Sequence, residues 1–163
     1  YEWLRVSLAY QNYTVKFRTG SQNLFGTIAS FIGYNTYIGS YLVRDSVVTV
    51  NDDRLQGYWG FEVNDLPIAV VTGQAPAGAT TVPNPLNGTS PIPAGSCVVT
   101  GQFPVPLTIT GSETSDIVIN VSLSTNKSFE WLETDGDNVW EPLSPNFETP
   151  VDMGVRGLIP NVQ

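Results

Sequence analysis

The sequence contains no histidine. That absence removes Ser-His-Asp triads, Cys-His dyads, imidazole general bases and nearly all zinc or copper sites. The single cysteine, Cys97, excludes an intrachain disulfide. With no histidine partner and no flanking base to lower its pKa, it reads as a small buried apolar residue in the run Cys97-Val98-Val99. Charge is scarce: 13% of residues are Asp, Glu, Lys or Arg, against about 25% in an ordinary soluble domain. No basic patch is available to neutralise phosphates, so no direct nucleic-acid binding is expected. No glycine-rich phosphate loop opens a helix. No apolar run reaches the roughly 18 residues of a bilayer crossing, so no membrane span is expected.

What is present is β-forming. The chain has 163 residues, with Val, Ile, Thr, Tyr and Phe prominent and 15 Gly and 12 Pro scattered along its length. Helices longer than about two turns are hard to place among so many breakers. Strand-like runs recur at short intervals between turn residues: Trp3–Ala9, Tyr13–Arg18, Thr27–Ile32, Thr36–Val43, Val47–Val50, Tyr58–Val63, Ile68–Thr72, Cys97–Gln102, Leu107–Thr110, Asp116–Ser124, Ser128–Leu132 and Val151–Gly157. That rhythm predicts an all-β chain, an antiparallel β-sandwich of jelly-roll-like kind forming a single domain over residues 1–163. In the clearest run, Ile117, Ile119, Val121 and Leu123 alternate with Asn120 and Ser122, as in a strand with one buried face. Asn51-Asp52-Asp53 reads as a turn. Residues 73–95 break the rhythm with five prolines and no charge. They read as an extended, semi-rigid arm or long loop that crosses a sheet or wraps a neighbour.

The net charge of −8 is local. Seven acids and no base lie between Glu130 and Asp152; the rest of the chain holds eight acids and seven bases. Two readings of this window compete. In the first, Glu133, Asp135 and Asp137 supply carboxylates at alternate positions, Val139 a backbone carbonyl and Glu141 a further oxygen. That is what a hard cation asks of a tight turn. Over these nine residues the segment resembles the calcium loop of EF-hand and dockerin-like proteins. It departs from that pattern in having Glu133 in place of Asp, Asn138 where Gly is expected, and Ser144 where the bidentate Glu should stand, with Glu148 a longer reach away. The resemblance implies calcium as a ligand; no other cofactor is expected. In the second reading Asp135-Gly136 is a hairpin turn. Trp131 then faces Trp140, a stabilising pair, and Glu130 faces Glu141, a repulsive one that Lys127 or Arg156 would have to offset.

The remaining catalytic option is a carboxylate pair, Glu62 with Asp65 or two acids of the cluster, as in glycoside hydrolysis. Any acidic chain offers such pairs, and the expectation is a protein that is not an enzyme. Tyr34, Tyr37, Tyr41, Tyr58 and Trp59 could stack on sugars, but aromatic rings in strands more often pack into cores. Sequons begin at Asn12, Asn87, Asn120 and Asn126. A polar surface with little charge, a Pro-rich arm and no catalytic residues point to a structural subunit that self-assembles, as a homo-oligomer or with related subunits. A single jelly-roll capsid protein of a virion and a cell-surface filament subunit both fit. Trp3–Ala9 and the apolar tail Gly154–Val162 are the candidate exchanged strands. The alternative is a secreted, extracellular carbohydrate-binding β-sandwich module, calcium-dependent or not, with a glycan as partner.

Overall fold

The computed structural model describes residues 1–32, 38–53, 55–65, 70–76 and 98–163. Among them are twelve strands, every pairing antiparallel, and no helix. They are β1 (Trp3–Ser7), β2 (Tyr10–Thr19), β3 (Gln22–Phe31), β4 (Ser40–Leu42), β5 (Val47–Thr49), β6 (Tyr58–Val63), β7 (Val71–Gln74), β8 (Val98–Gln102), β9 (Ile119–Ser124), β10 (Phe129–Trp131), β11 (Pro150–Met153) and β12 (Arg156–Val162). No helix is long and apolar enough to cross a membrane.

The largest sheet runs β2-β3-β6-β7. In β2 the sequence alternates, so Gln11, Tyr13, Val15 and Phe17 turn inward while Asn12, Thr14 and Lys16 stay exposed. Gly20, at a φ of 57°, makes the tight turn into β3, since primed hairpin turns need a left-handed residue there. β3 and β6 are buried on both faces because the sheet is covered on both. On one side Tyr41, Val43, Val48 and Val50, around the β4–β5 hairpin, pack on Ala29 and Phe31. On the other, Phe17, Ile28, Phe61 and Val63 meet Trp140 and Met153, with Phe129, Trp131 and Leu143 at the margin. This layering is that of a β-sandwich.

The remaining strands form two-stranded ribbons. β1 pairs with β8 from Trp3 opposite Gln102 to Ser7 opposite Val98. β12 pairs with β9, Val162 opposite Ile119 and Pro160 opposite Val121. The two ribbons close over Leu4, Val6, Leu8, Ile32, Val155 and Leu158. Gly101 permits that closure: a Cβ there would lie 2.2 Å from the Leu158 carbonyl oxygen.

Several expectations change. Leu107–Thr110 is not a strand; its first N–H donates to the Tyr1 carbonyl at 2.8 Å, and no ladder forms among the described residues. Val151–Gly157 is two strands, broken at Gly154 and Val155. Both candidate exchanged strands pair within their own chain. The face of β9 expected in a core is instead largely open, with Val121 42% and Leu123 39% exposed. Asn51-Asp52-Asp53 leads into a turn as read. Most of the Pro-rich stretch, Cys97, Ile68, Asn87 and residues 33–37 lie outside the described residues.

Candidate cation-binding loop

The acidic segment leaves the sheet at β10 and returns at β11, and its path is set by Trp140. This indole is 1% exposed. Its ring centroid lies 4.8 Å from that of Phe129 and 4.9 Å from that of Phe61, both edge-on. The Trp140 carbonyl accepts the Arg18 N–H at 2.9 Å, tying the segment to β2. The Trp140 Nε1–H donates to the Glu148 carbonyl at 3.1 Å.

The hairpin reading fails at this point. β10 pairs with β11, so Glu130 faces Asp152 and Trp131 faces Pro150. Trp131 meets Phe129, which itself packs on Trp140. Burying the Trp140 ring outweighs the local preference of Asp-Gly for a two-residue turn, because a large aromatic carries far more apolar area than a turn can offset.

Between Leu132 and Trp140 the backbone coils around its own carboxylates. Glu133 Oε1 accepts the N–H of Asp135 at 3.3 Å and of Gly136 at 3.1 Å. Asp135 Oδ1 accepts the Asp137 N–H at 3.3 Å, and Asp137 Oδ1 accepts the Val139 N–H at 2.8 Å. Asn138 is left-handed, with φ at 60°, at the position where the resemblance called for glycine. The result draws one carboxylate oxygen from each of Glu133, Asp135 and Asp137 within 4.8 Å of one another. Glu141 is not part of that trio. Its Oε1 accepts Arg18 Nε–H at 2.6 Å, and its Oε2 accepts the Asn146 amide. Val139 meets the loop through its N–H, which Asp137 Oδ1 accepts.

Arg18 is the residue that the sequence does not announce. It lies more than a hundred positions upstream, yet its guanidinium bonds both Asp137 and Glu141 and lies 4.0 Å from Asp135. Those two acids raise the Arg18 pKa still further above its ordinary value. Asn146 adds a donor to Asp135 at 3.0 Å. Glu148, 2% exposed, takes an inner role. Its Oε1 accepts the Thr134 N–H at 2.9 Å and hydroxyl at 3.1 Å, and its Oε2 accepts the Glu141 N–H at 2.9 Å.

No family model matches this chain, and no curated protein or solved structure matches it.

The electrostatics of the loop are uneven. Burial pushes the Glu133 carboxyl up, but the N–H groups of Asp135 and Gly136 outweigh it and hold the pKa at about 2. Asp135 goes the other way: burial, the Glu133 carboxyl and the Asp137 charge all raise it above the ordinary range. Arg18 and Asn146 only partly offset the burial and the neighbouring acids at Asp135, and a bound cation would offset them further. Hard cations such as calcium take six to eight oxygens, so the three carboxylates would supply only part of such a shell.

The other sequence candidates separate. Glu62 is buried, and its Oε2 accepts the N–H groups of Asp45 and Ser46 at 3.1 Å and of Arg44 at 3.4 Å. Burial raises its pKa, but the Ser46, Asp45 and Arg44 donors prevail and lower it overall. Glu62 thus holds the β4–β5 turn, while Asp65 is exposed. Of the rings considered for sugar stacking, Tyr41 and Trp59 are core residues, at 3% and 7% exposure, and Tyr58 is half-buried. Tyr34 and Tyr37 lie outside the described residues.

Proposed function

We propose that this chain is a non-enzymatic structural subunit, a single jelly-roll-like domain that assembles with copies of itself in a capsid or a surface filament. The observation that carries this reading is the β9–β12 ribbon. Val121, Leu123 and Val162, on the apolar face, are 39–44% exposed, and Ile159 on the opposite face is 59% exposed. β9 has no second strand partner among the described residues. A ribbon of two strands is marginal alone, and exposed apolar edges are templates for association. Because the strands nominated for exchange pair in cis, the expected mode is packing of faces or addition at the β9 edge.

The chain is expected to sediment as a discrete oligomer or an open polymer at micromolar concentration, and Val121→Lys to sediment as a monomer. A stable interface of this kind buries about 1,200–2,000 Å², so one buried lysine should weaken it at least tenfold. A wild-type chain that stays monomeric at high concentration in light scattering overturns the assembly reading.

The three-carboxylate cluster favours a second reading, a secreted calcium-dependent binding module for glycans. Calcium is expected to bind at one site per chain and to raise the melting temperature, since a ligand held only by the folded state stabilises it. Asp135→Asn should weaken binding at least tenfold. Because the Asp135 pKa is raised, protons compete at higher pH than at an ordinary aspartate, so affinity should fall early as the pH is lowered. Calorimetric titration checks the stoichiometry, the variant and the pH dependence, thermal unfolding checks the melting temperature, and no heat at millimolar calcium ends the calcium claim.

A further inference from the structure

β9 is the outer strand of its ribbon, with no strand beyond it among the described residues. The Gln163 N–H donates to the Val118 carbonyl at 2.9 Å, so that carbonyl turns toward the end of β12. Antiparallel ladders alternate, and the register sets Asn120 opposite Asn161 and Ser122 opposite Ile159. Asn120 and Ser122 therefore also bond toward β12. The N–H and C=O groups of Ile119, Val121 and Leu123 point the other way, to the open edge. Every residue of β9 after Ile119 is exposed.

Exposed strand edges are normally blunted by charge, proline or a bulge, which keep other strands from adding. Among the described edge strands as long as β9, β2 carries Lys16 and Arg18, and β12 carries Pro160. β9 has neither device, and the bulge of its ribbon lies in β12, between Arg156 and Ile159. Residues 117–126 hold no charge, proline or glycine. The nearest charges are Asp116 before the strand and Lys127 after it, both exposed.

We propose that β9 pairs with β9 of a second copy, antiparallel about a two-fold axis at Val121; this rests on the assembly reading above and names its contact. In that register Ile119 meets Leu123 of the partner copy, and Val121 meets its own counterpart. Each of these pairs exchanges both its hydrogen bonds. On one face Ile119, Val121 and Leu123 of the two copies join in a single apolar stripe, which covers Val121 and Leu123, now 42% and 39% exposed. On the other face Asn120 meets Ser122, an amide beside a hydroxyl. At each end of the ladder Asp116 of one copy approaches the end where Lys127 of the other lies. Parallel pairing would set like charges together, and a slip of one residue would set Val121 against Asn120 or Ser122. The contact is isologous and closes as a dimer, from which a capsid or filament would be built through other faces.

Cysteine cross-linking of the whole chain tests the register, with mass spectrometry locating the linked residues. In the proposed pair Val121 lies about 5.5 Å from its counterpart between Cα atoms, inside the disulfide range of about 4.4–6.8 Å. Val121→Cys should therefore link through residue 121 under mild oxidation. Ser124→Cys, also exposed, should link to itself at least tenfold more slowly. Asn120→Cys and Ser122→Cys chains should link to each other faster than either links to itself, because only the mixed pair is directly opposed. A wild-type oligomer in which Val121→Cys does not link at residue 121, Ser124→Cys links as fast, or the mixture links no faster than its parts overturns the β9 pairing and leaves assembly to another face. A wild-type chain that stays monomeric at high concentration in light scattering overturns both the pairing and the assembly reading.

Discussion

Trp140→Ala is expected to lower the unfolding free energy by about 3–5 kcal/mol, the usual cost of emptying an aromatic site in a packed core. The indole is 1% exposed and touches rings from two directions, Phe61 of the sheet and Phe129 of β10. Phe17 stands 6.5 Å away, also edge-on. Among the described residues none is placed to refill that space, because those around it already belong to one cluster with Met153 and Phe61. The same substitution strands the Glu148 carbonyl, which accepts the indole N–H. Urea unfolding should show a lower midpoint at unchanged slope. Trp3→Ala is the control: this ring is 58% exposed, and its removal should change stability by no more than about 0.5 kcal/mol. Equal losses in the two variants would mean that Trp140 does not anchor the acidic segment.

The second large effect is expected at Glu148. A carboxylate that is 2% exposed, with no cation bonded to it among the described residues, is held there by N–H and O–H donors. Glu148→Ala leaves the Thr134 and Glu141 N–H groups without their acceptor, and buried donors left unpaired cost about 1–3 kcal/mol each. Part of that is returned by relief of repulsion from Glu133, Asp135 and Asp137, which solvent already screens. The net loss should be about 2–3 kcal/mol. Glu148→Gln keeps one amide oxygen and should lose about half as much, since only one of the two N–H groups then lacks an acceptor. Thermal unfolding of the two variants checks the order. If Glu148→Ala is as stable as the wild type, Glu148 is not the clasp of the loop, and the shape of the carboxylate trio must be held by Arg18 and Asn146.

These two positions also mark where local reading succeeds and where it stops. β6 was readable to the residue, Tyr58–Val63, because its run of aromatic and branched residues is bounded by turns on both sides. The gathering of Glu133, Asp135 and Asp137 was readable too, since alternate carboxylates on a tight turn converge by backbone geometry alone, and Asn138 tolerates the left-handed conformation the turn needs. Glu141 belonged to the same pattern, but its oxygens bond Arg18 and Asn146 and it stays outside the trio. No spacing rule reaches from residue 18 to residue 141, because their meeting depends on Trp140 docking against the edge of β2.

The fate of β9 has the same cause. Its alternation forecast a face that seeks burial, and the strand formed, yet pairing with β12 leaves that face half covered. Leu107–Thr110 has the composition of a strand, yet among the described residues it builds no ladder; Leu107 exchanges hydrogen bonds with Tyr1 and the pairing goes no further. Extended conformation is a local property of branched and aromatic residues; a sheet requires a second chain segment in register.

The amino-acid sequence by itself therefore determined the all-β class and most strand positions, which follow from short-range sterics and period-two patterning, and left the acidic segment open between a hairpin and a coiled loop. Only the tertiary structure decided that Trp131 pairs with Pro150 and not with Trp140, that Arg18 closes the loop, that Tyr41 and Trp59 are core residues, and that β9 keeps an open edge among the described residues. Those outcomes arise from competition among distant segments for the same buried space, which no single stretch of sequence encodes.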